Sequence, residues 1–120
     1  MPTLRISVQL DLDGQPLPGT PLVRRLELDE AQTFDVEQAT GGGFVAIQAA
    51  AIASIQALLL RADRQVTVRL DGQTDAGLVL NAGGLVLIFD ATIDAGAATN
   101  VTVDNASGST AVLRGVAAGT

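Results

Sequence analysis

Cysteine and histidine are both missing from this chain of 120 residues. Without them there is no disulfide frame, no thiolate nucleophile, no imidazole base and no ordinary zinc ligand set. Trp and Tyr are missing as well, and only Phe34, Phe44 and Phe89 are aromatic. Stacking platforms for sugars or single-stranded nucleic acid are built from such rings, so both partners lose ground. Lysine is absent too: the seven cationic residues are all arginines, set against thirteen carboxylates for a net charge of −6. An acidic surface of that kind repels a phosphate backbone, which predicts no direct nucleic-acid partner. The opening stretch MPTLRISVQLDLDG has no basic segment followed by an apolar core. A secretory signal is therefore not expected, and the chain reads as made and used inside a cell.

What is present is aliphatic. Hydrophobic residues make up 48% of the chain and charged ones only 17%, so some apolar surface is expected to meet other subunits. The length fits a single domain spanning 1–120, large enough to bury roughly two thirds of its unfolded surface.

The run from Phe44 to Leu60 is seventeen residues without a charge. A membrane span takes about twenty apolar residues, and this run is shorter and carries Gln48 and Gln56; no membrane crossing is expected. Its polar residues, Gln48, Ser54 and Gln56, are all even-numbered and share a face in a strand, whereas on a helix they scatter around the axis. Gly41-Gly42-Gly43 offers no side-chain N-cap, and Val45, Ile47, Ile52 and Ile55 are β-branched. The spacing predicts strands over 44–49 and 53–61; Ala49, Ala50 and Ala51 keep a helix open as the rival.

Elsewhere the period is two. Leu4, Ile6, Val8, Leu10 and Leu12 alternate with Arg5, Ser7, Gln9, Asp11 and Asp13, the pattern of a half-buried strand. Leu26 and Leu28, then Val66, Val68 and Leu70, then Val101 and Val103 repeat it among polar neighbours. Leu85-Val-Leu-Ile-Phe89 is apolar on both faces, as expected of a central or interface strand. Turn dipeptides punctuate these runs at short intervals. The predicted fold is all-β, an antiparallel β-sandwich of eight or nine short strands in jelly-roll form.

Candidate chemistry is sparse. Leu-Asp-Gly-Gln occurs at 12–15 and again at 70–73, and Asp-Gly is a favoured type I′ hairpin pair. Asp11, Asp13 and Asp29, or Asp71 and Asp75, lack the spacing of a calcium loop, so no metal is expected. The glycines at 41–43 and 83–84 match neither a phosphate-cradling loop nor a dinucleotide fingerprint, and no cofactor is expected. Ser54 and Ser107 have no histidine to activate them, and no catalytic residue is assigned. Asn100-Val-Thr102 and Asn105-Ala-Ser107 match the glycosylation pattern but read as strand and turn chemistry. The arginines at 24, 25, 61, 64, 69 and 114 are the best polar handles, because a planar guanidinium can clamp a carboxylate of a neighbouring subunit. Scattered ion pairs on a solvated face are the plainer reading. The second apolar face of Leu85 to Phe89, with Leu58 and Leu60, is the candidate subunit interface; a two-sided core is the plainer account of the same residues.

One resemblance adds to this. Arg61 to Asp63 leading into Val66-Thr-Val-Arg-Leu-Asp-Gly72, the apolar Gly-Gly strand at 83–89, and Asn100-Val-Thr-Val-Asp-Asn-Ala-Ser-Gly108 with a closing Gly-Thr form a rhythm over roughly 52–120. That rhythm resembles small virion structural proteins of tailed bacteriophages. The resemblance implies a non-enzymatic bacteriophage protein located in the virion and made in the host cytoplasm. Within that group it implies a capsid decoration, or cement, protein that binds major capsid protein as a symmetric homo-oligomer, a trimer favoured. A tail or vertex adaptor or fibre-base subunit, and a carbohydrate-binding jelly-roll attachment module, are the alternatives. A hydrolytic enzyme would need a carboxylate pair close in space.

Overall fold

A computed structural model describes residues 2–47, 52, 54–69, 77–93 and 101–119. The expected turn at Asp71-Gly72, the carboxylates of Asp71 and Asp75, Asn100 and the stretch 48–51 lie outside the described residues.

The described residues form twelve strands and no helix. They are β1 (Thr3–Val8), β2 (Asp11–Leu12), β3 (Gln15–Pro16), β4 (Leu22–Glu27), β5 (Glu30–Gln38), β6 (Phe44–Ala46), β7 (Ile55–Ala62), β8 (Val66–Arg69), β9 (Leu78–Leu80), β10 (Leu85–Ile93), β11 (Thr102–Asp104) and β12 (Ala111–Gly119). The all-β, antiparallel expectation holds. Eight of the strands make two sheets, ordered β10-β7-β12-β5 and β6-β11-β8-β9. The remaining four pair as a β1-β4 ribbon and a small β2-β3 hairpin.

The core lies between the two four-stranded sheets. From the first come Phe34, Ile55, Leu58, Leu60, Ala62, Leu113 and Ala117; from the second, Val66, Val68, Leu80 and Val103. The two-residue period decides this. Leu58 and Leu60 face inward, while Ala57, Leu59 and Arg61 face outward; on β12 Leu113 and Ala117 face inward opposite Arg114, Val116 and Ala118. Gly115, opposite Phe34 on β5 and Leu60 on β7, is small for a reason. A Cβ there would overlap the Leu59 carbonyl, and the Phe34 ring closes over the space at 3.1 Å from that position.

The β1-β4 ribbon covers part of the outer face of the first sheet. Leu4, Leu26 and Leu28 press on Ala57, Ala118 and Phe89. Two backbone bonds fix its end, Leu28 N–H to the Pro2 carbonyl at 3.0 Å and Asp29 N–H to the Gly119 carbonyl at 3.1 Å.

Several expectations need correction. The first alternating run does not continue as one strand to Leu12. β1 ends at Val8, and Leu10 and Leu12 are exposed on a separate hairpin. Asp13 and Gly14 turn that hairpin with both φ angles positive, at 52° and 78°, which is the I′ turn the Asp-Gly pair called for. Within 44–60 the described residues hold two strands and no helix, β6 ending at Ala46 and β7 starting at Ile55, with Ile47 outside any strand and Ser54 in a bend. Of the two readings of Leu85 to Phe89, a central or an interface strand, the central one does not hold: among the described strands β10 lies at a sheet edge, and β7 and β12 are central. Leu58 and Leu60 belong to the core, fully buried, and cannot be a subunit interface. Their mixed apolar pattern reflects a strand covered on both sides.

Candidate interaction face

The outer face of the β10-β7-β12-β5 sheet is covered at one end only. Successive rows across the sheet change character because each strand steps outward every second residue. The row Phe89, Ala57, Ala118 and Ala31 begins beneath the ribbon. The next row, Leu87, Leu59, Val116 and Thr33, is apolar on three of its four strands and only partly sheltered, with Leu87 43% exposed. The third row reads Leu85, Arg61, Arg114 and Asp35. It is open to solvent, with Leu85 56% exposed.

Arg61 and Arg114 stand directly opposite each other on β7 and β12. Like charges facing across an exposed pair repel, so their placement calls for neighbouring anions. Asp35 supplies one: its Oδ1 accepts a bond from Arg114 Nε at 3.0 Å, with both side chains largely exposed. Asp63 lies just beyond β7, and its Oδ1 accepts the Val112 N–H at 2.7 Å, bracing the start of β12. Together Arg61, Ala62, Asp63, Gly83, Val112 and Arg114 line an open cleft of about 240 Å³. A second, apolar crevice of about 90 Å³ runs between the ribbon and the sheet, past Leu4, Ile6, Leu59, Leu87, Phe89 and Val116.

The other arginines scatter. Arg24 on β4 reaches Asp90 on β10 at 3.4 Å, both exposed. Arg25 pairs across the ribbon with Arg5. Arg64 sits exposed in the bend after β7, and the Arg69 guanidinium lies 3.9 Å from the centre of the Phe44 ring, a cation–π contact. Of the six arginines read as handles, only Arg61 and Arg114 are brought together on one strand pair. Asp11 and Asp13 sit on the β2-β3 hairpin and Asp29 between β4 and β5. Among the described residues no group of three carboxylate, imidazole or thiol side chains converges, and no helix is long and apolar enough to cross a membrane.

Two polar residues do structural work, Asn105 of the Asn105-Ala-Ser107 motif and Gln38, which the sequence did not single out. Asn105 is fully buried. Its Nδ2 donates to the carbonyls of Gln38 and Ser109, both at 2.8 Å, and its Oδ1 accepts from the Ser107 N–H and hydroxyl at 3.1 and 2.7 Å. Gln38 Nε2 returns a bond to the Val103 carbonyl at 2.8 Å, so the pair joins the end of β5 to β11. The Asn105-Ala-Ser107 motif is therefore turn chemistry, the reading expected for it.

Compared with family models, curated proteins and solved structures, the chain matches none of them. The cleft lining holds no hydroxyl or thiol nucleophile. Two guanidinium groups beside an apolar row can bind a carboxylate-bearing, partly apolar surface through charge-assisted hydrogen bonds.

Proposed function

We propose that this chain is a non-enzymatic structural subunit of a tailed-bacteriophage virion, a capsid decoration protein that binds the major-capsid shell as a symmetric homo-oligomer. The observation that carries this reading is the half-covered outer sheet face, apolar toward β10 and arginine-paired across β7 and β12. A partner surface with exposed carboxylates and aliphatic side chains fits that face. Stable contacts of this kind bury about 1,000 Å² or more. Each bound copy then favours the assembled shell by mass action.

The strand order supports the finer, jelly-roll form of the sandwich. Counted from β5, the eight sandwich strands run 1-8-3-6 in one sheet and 2-7-4-5 in the other. That order folds a long antiparallel hairpin back on itself, the double Greek key that capsid and lectin domains share. The shared architecture is an analogy and carries no function by itself.

The test is quantitative mass spectrometry of particles purified from the strain that carries the gene. Copies comparable in number to the shell subunit are expected. A few copies per particle would move the protein to the tail or a vertex, and absence from intact particles would overturn the reading. A double variant, Arg61→Glu with Arg114→Glu, should weaken particle binding at least about tenfold while the strand signal in circular dichroism is kept. Unchanged binding would take the cleft out of the contact.

A further inference from the structure

Among the described residues the two sheets present four edge strands, and they differ in what they offer a neighbour. β6 and β9 are three residues each, too short to template much pairing. β5 is nine residues long but carries Glu30, Asp35 and Glu37. A second copy laid along it would bring carboxylates toward carboxylates. β10 is different. From Leu85 to Phe89 it has no charge and no proline, and nothing among the described strands pairs its outer side.

Its backbone has a definite parity. The Ala62 N–H bonds to the Gly84 carbonyl at 3.4 Å, while the Asp63 N–H bonds to the Val112 carbonyl at 3.3 Å. Even-numbered residues of β7 thus point their polar groups at β10, and odd-numbered ones at β12. Hydrogen-bonded and open positions alternate along an antiparallel ladder. Val86 and Ile88, opposite Leu60 and Leu58, spend their amides on β7. Leu85, Leu87 and Phe89 turn their N–H and C=O groups to the free edge. At Asp90 the regular edge stops: its φ of 57° and the register shift between Phe89 and Ile93 break the ladder there.

We propose that this five-residue edge pairs with the same edge of a second copy, antiparallel, about a twofold axis at Leu87. The inference rests on the homo-oligomer reading above and gives it twofold symmetry in place of the expected trimer. An isologous contact must be complementary to itself. Residues 85 to 89 meet that requirement: Leu87 faces Leu87, Leu85 faces Phe89, and the three outward residues match in parity. In a chain of net charge −6, an uncharged edge is where two copies approach with least repulsion. The joined sheets form one continuous eight-stranded layer, covering the exposed Leu85 and Leu87 and leaving the Arg61 and Arg114 clefts open on its outer side.

The residue on the axis provides the test. Sedimentation of the wild-type chain should give a dimer, and Leu87→Lys and Leu87→Asp should each give a monomer with the strand signal intact. An equimolar mixture of the two variants should recover the dimer, because only a twofold at residue 87 places lysine against aspartate. Should a variant fail to fold, Leu87→Cys in this cysteine-free chain takes a spin label that reads the same contact as a short label-to-label distance. A wild-type monomer, an oligomer indifferent to these changes, or widely separated labels would overturn the proposal. Particle association of the wild-type chain, scored separately, stands or falls on its own.

Discussion

The molecule has two hydrophobic clusters of unequal kind. The larger is shared by both four-stranded sheets and includes fully buried Ile55, Leu60, Val68, Val103 and Leu113. The smaller lies under the β1-β4 ribbon, where Leu28, Ala57 and Ala118 are buried and Leu4, Leu26 and Phe89 only partly so. In the first, side chains from both sheets meet in one shared interior. In the second, a two-stranded ribbon rests on small residues of a sheet already complete without it. Isolated two-stranded ribbons are marginal in water. The ribbon therefore borrows its order from the sheet, and the sheet owes little to the ribbon.

Breaking the larger cluster should unfold the whole domain. Leu60 faces Val86 on one side and Gly115 on the other at the middle of the sandwich, so Leu60→Ala leaves a hole that neighbouring backbone cannot fill. A loss of about 2–5 kcal/mol is expected, read as a fall in the urea midpoint that fluorescence-labelled and circular dichroism transitions share. Separate transitions for the two probes would show that the sandwich is not one cooperative unit.

The same contrast explains how much could be read from the residues. Strands with one wet face announce themselves: Leu4 and Ile6 of the ribbon, and Val66 and Val68 of β8, alternate as written and bury as expected. β7 did not, because its two faces are covered by different things. Leu58 and Leu60 meet the core and Ala57 meets the ribbon, so its sequence looks like a helix, an interface or a membrane segment until its neighbours are known. For β10 the pattern left two readings open, a central strand and an interface strand. Leu85 and Leu87 are apolar yet exposed, and pattern alone cannot separate an exposed edge from a buried centre. The Arg61 and Arg114 pairing depends on the register of β7 against β12, strands half the chain apart; local spacing carries no trace of it. Asn105 had a local signal, its Ser107 two residues on, but not the reach to Gln38.

Loosening the smaller cluster should be a local event. Leu28 is its largest fully buried side chain, and Leu28→Ala is expected to cost about 2 kcal/mol, the low end for a buried leucine, because the ribbon can settle toward the sheet. Amide exchange should speed up in β1 and β4 while β7 and β12 keep their protection. Equal loss of protection everywhere would merge the two clusters into one and remove the distinction.

The finest probe is the ion pair between the ribbon and the β10 edge. Arg24 and Asp90 meet at 3.4 Å with both side chains about half exposed, at 54% each. A solvated pair of that sort contributes about 0–1 kcal/mol, so Arg24→Ala should move the global urea midpoint barely at all. Its value is positional. Asp90 occupies the bulge that ends the regular edge of β10, and Arg24 ties the ribbon to that point. Removing the guanidinium should raise exchange at the Arg24 end of β4 more than near Leu28, where Leu26 and Ala118 still hold the ribbon down. The effect should shrink as salt is added to the wild type, since screening acts on the exposed pair and leaves the apolar contacts alone.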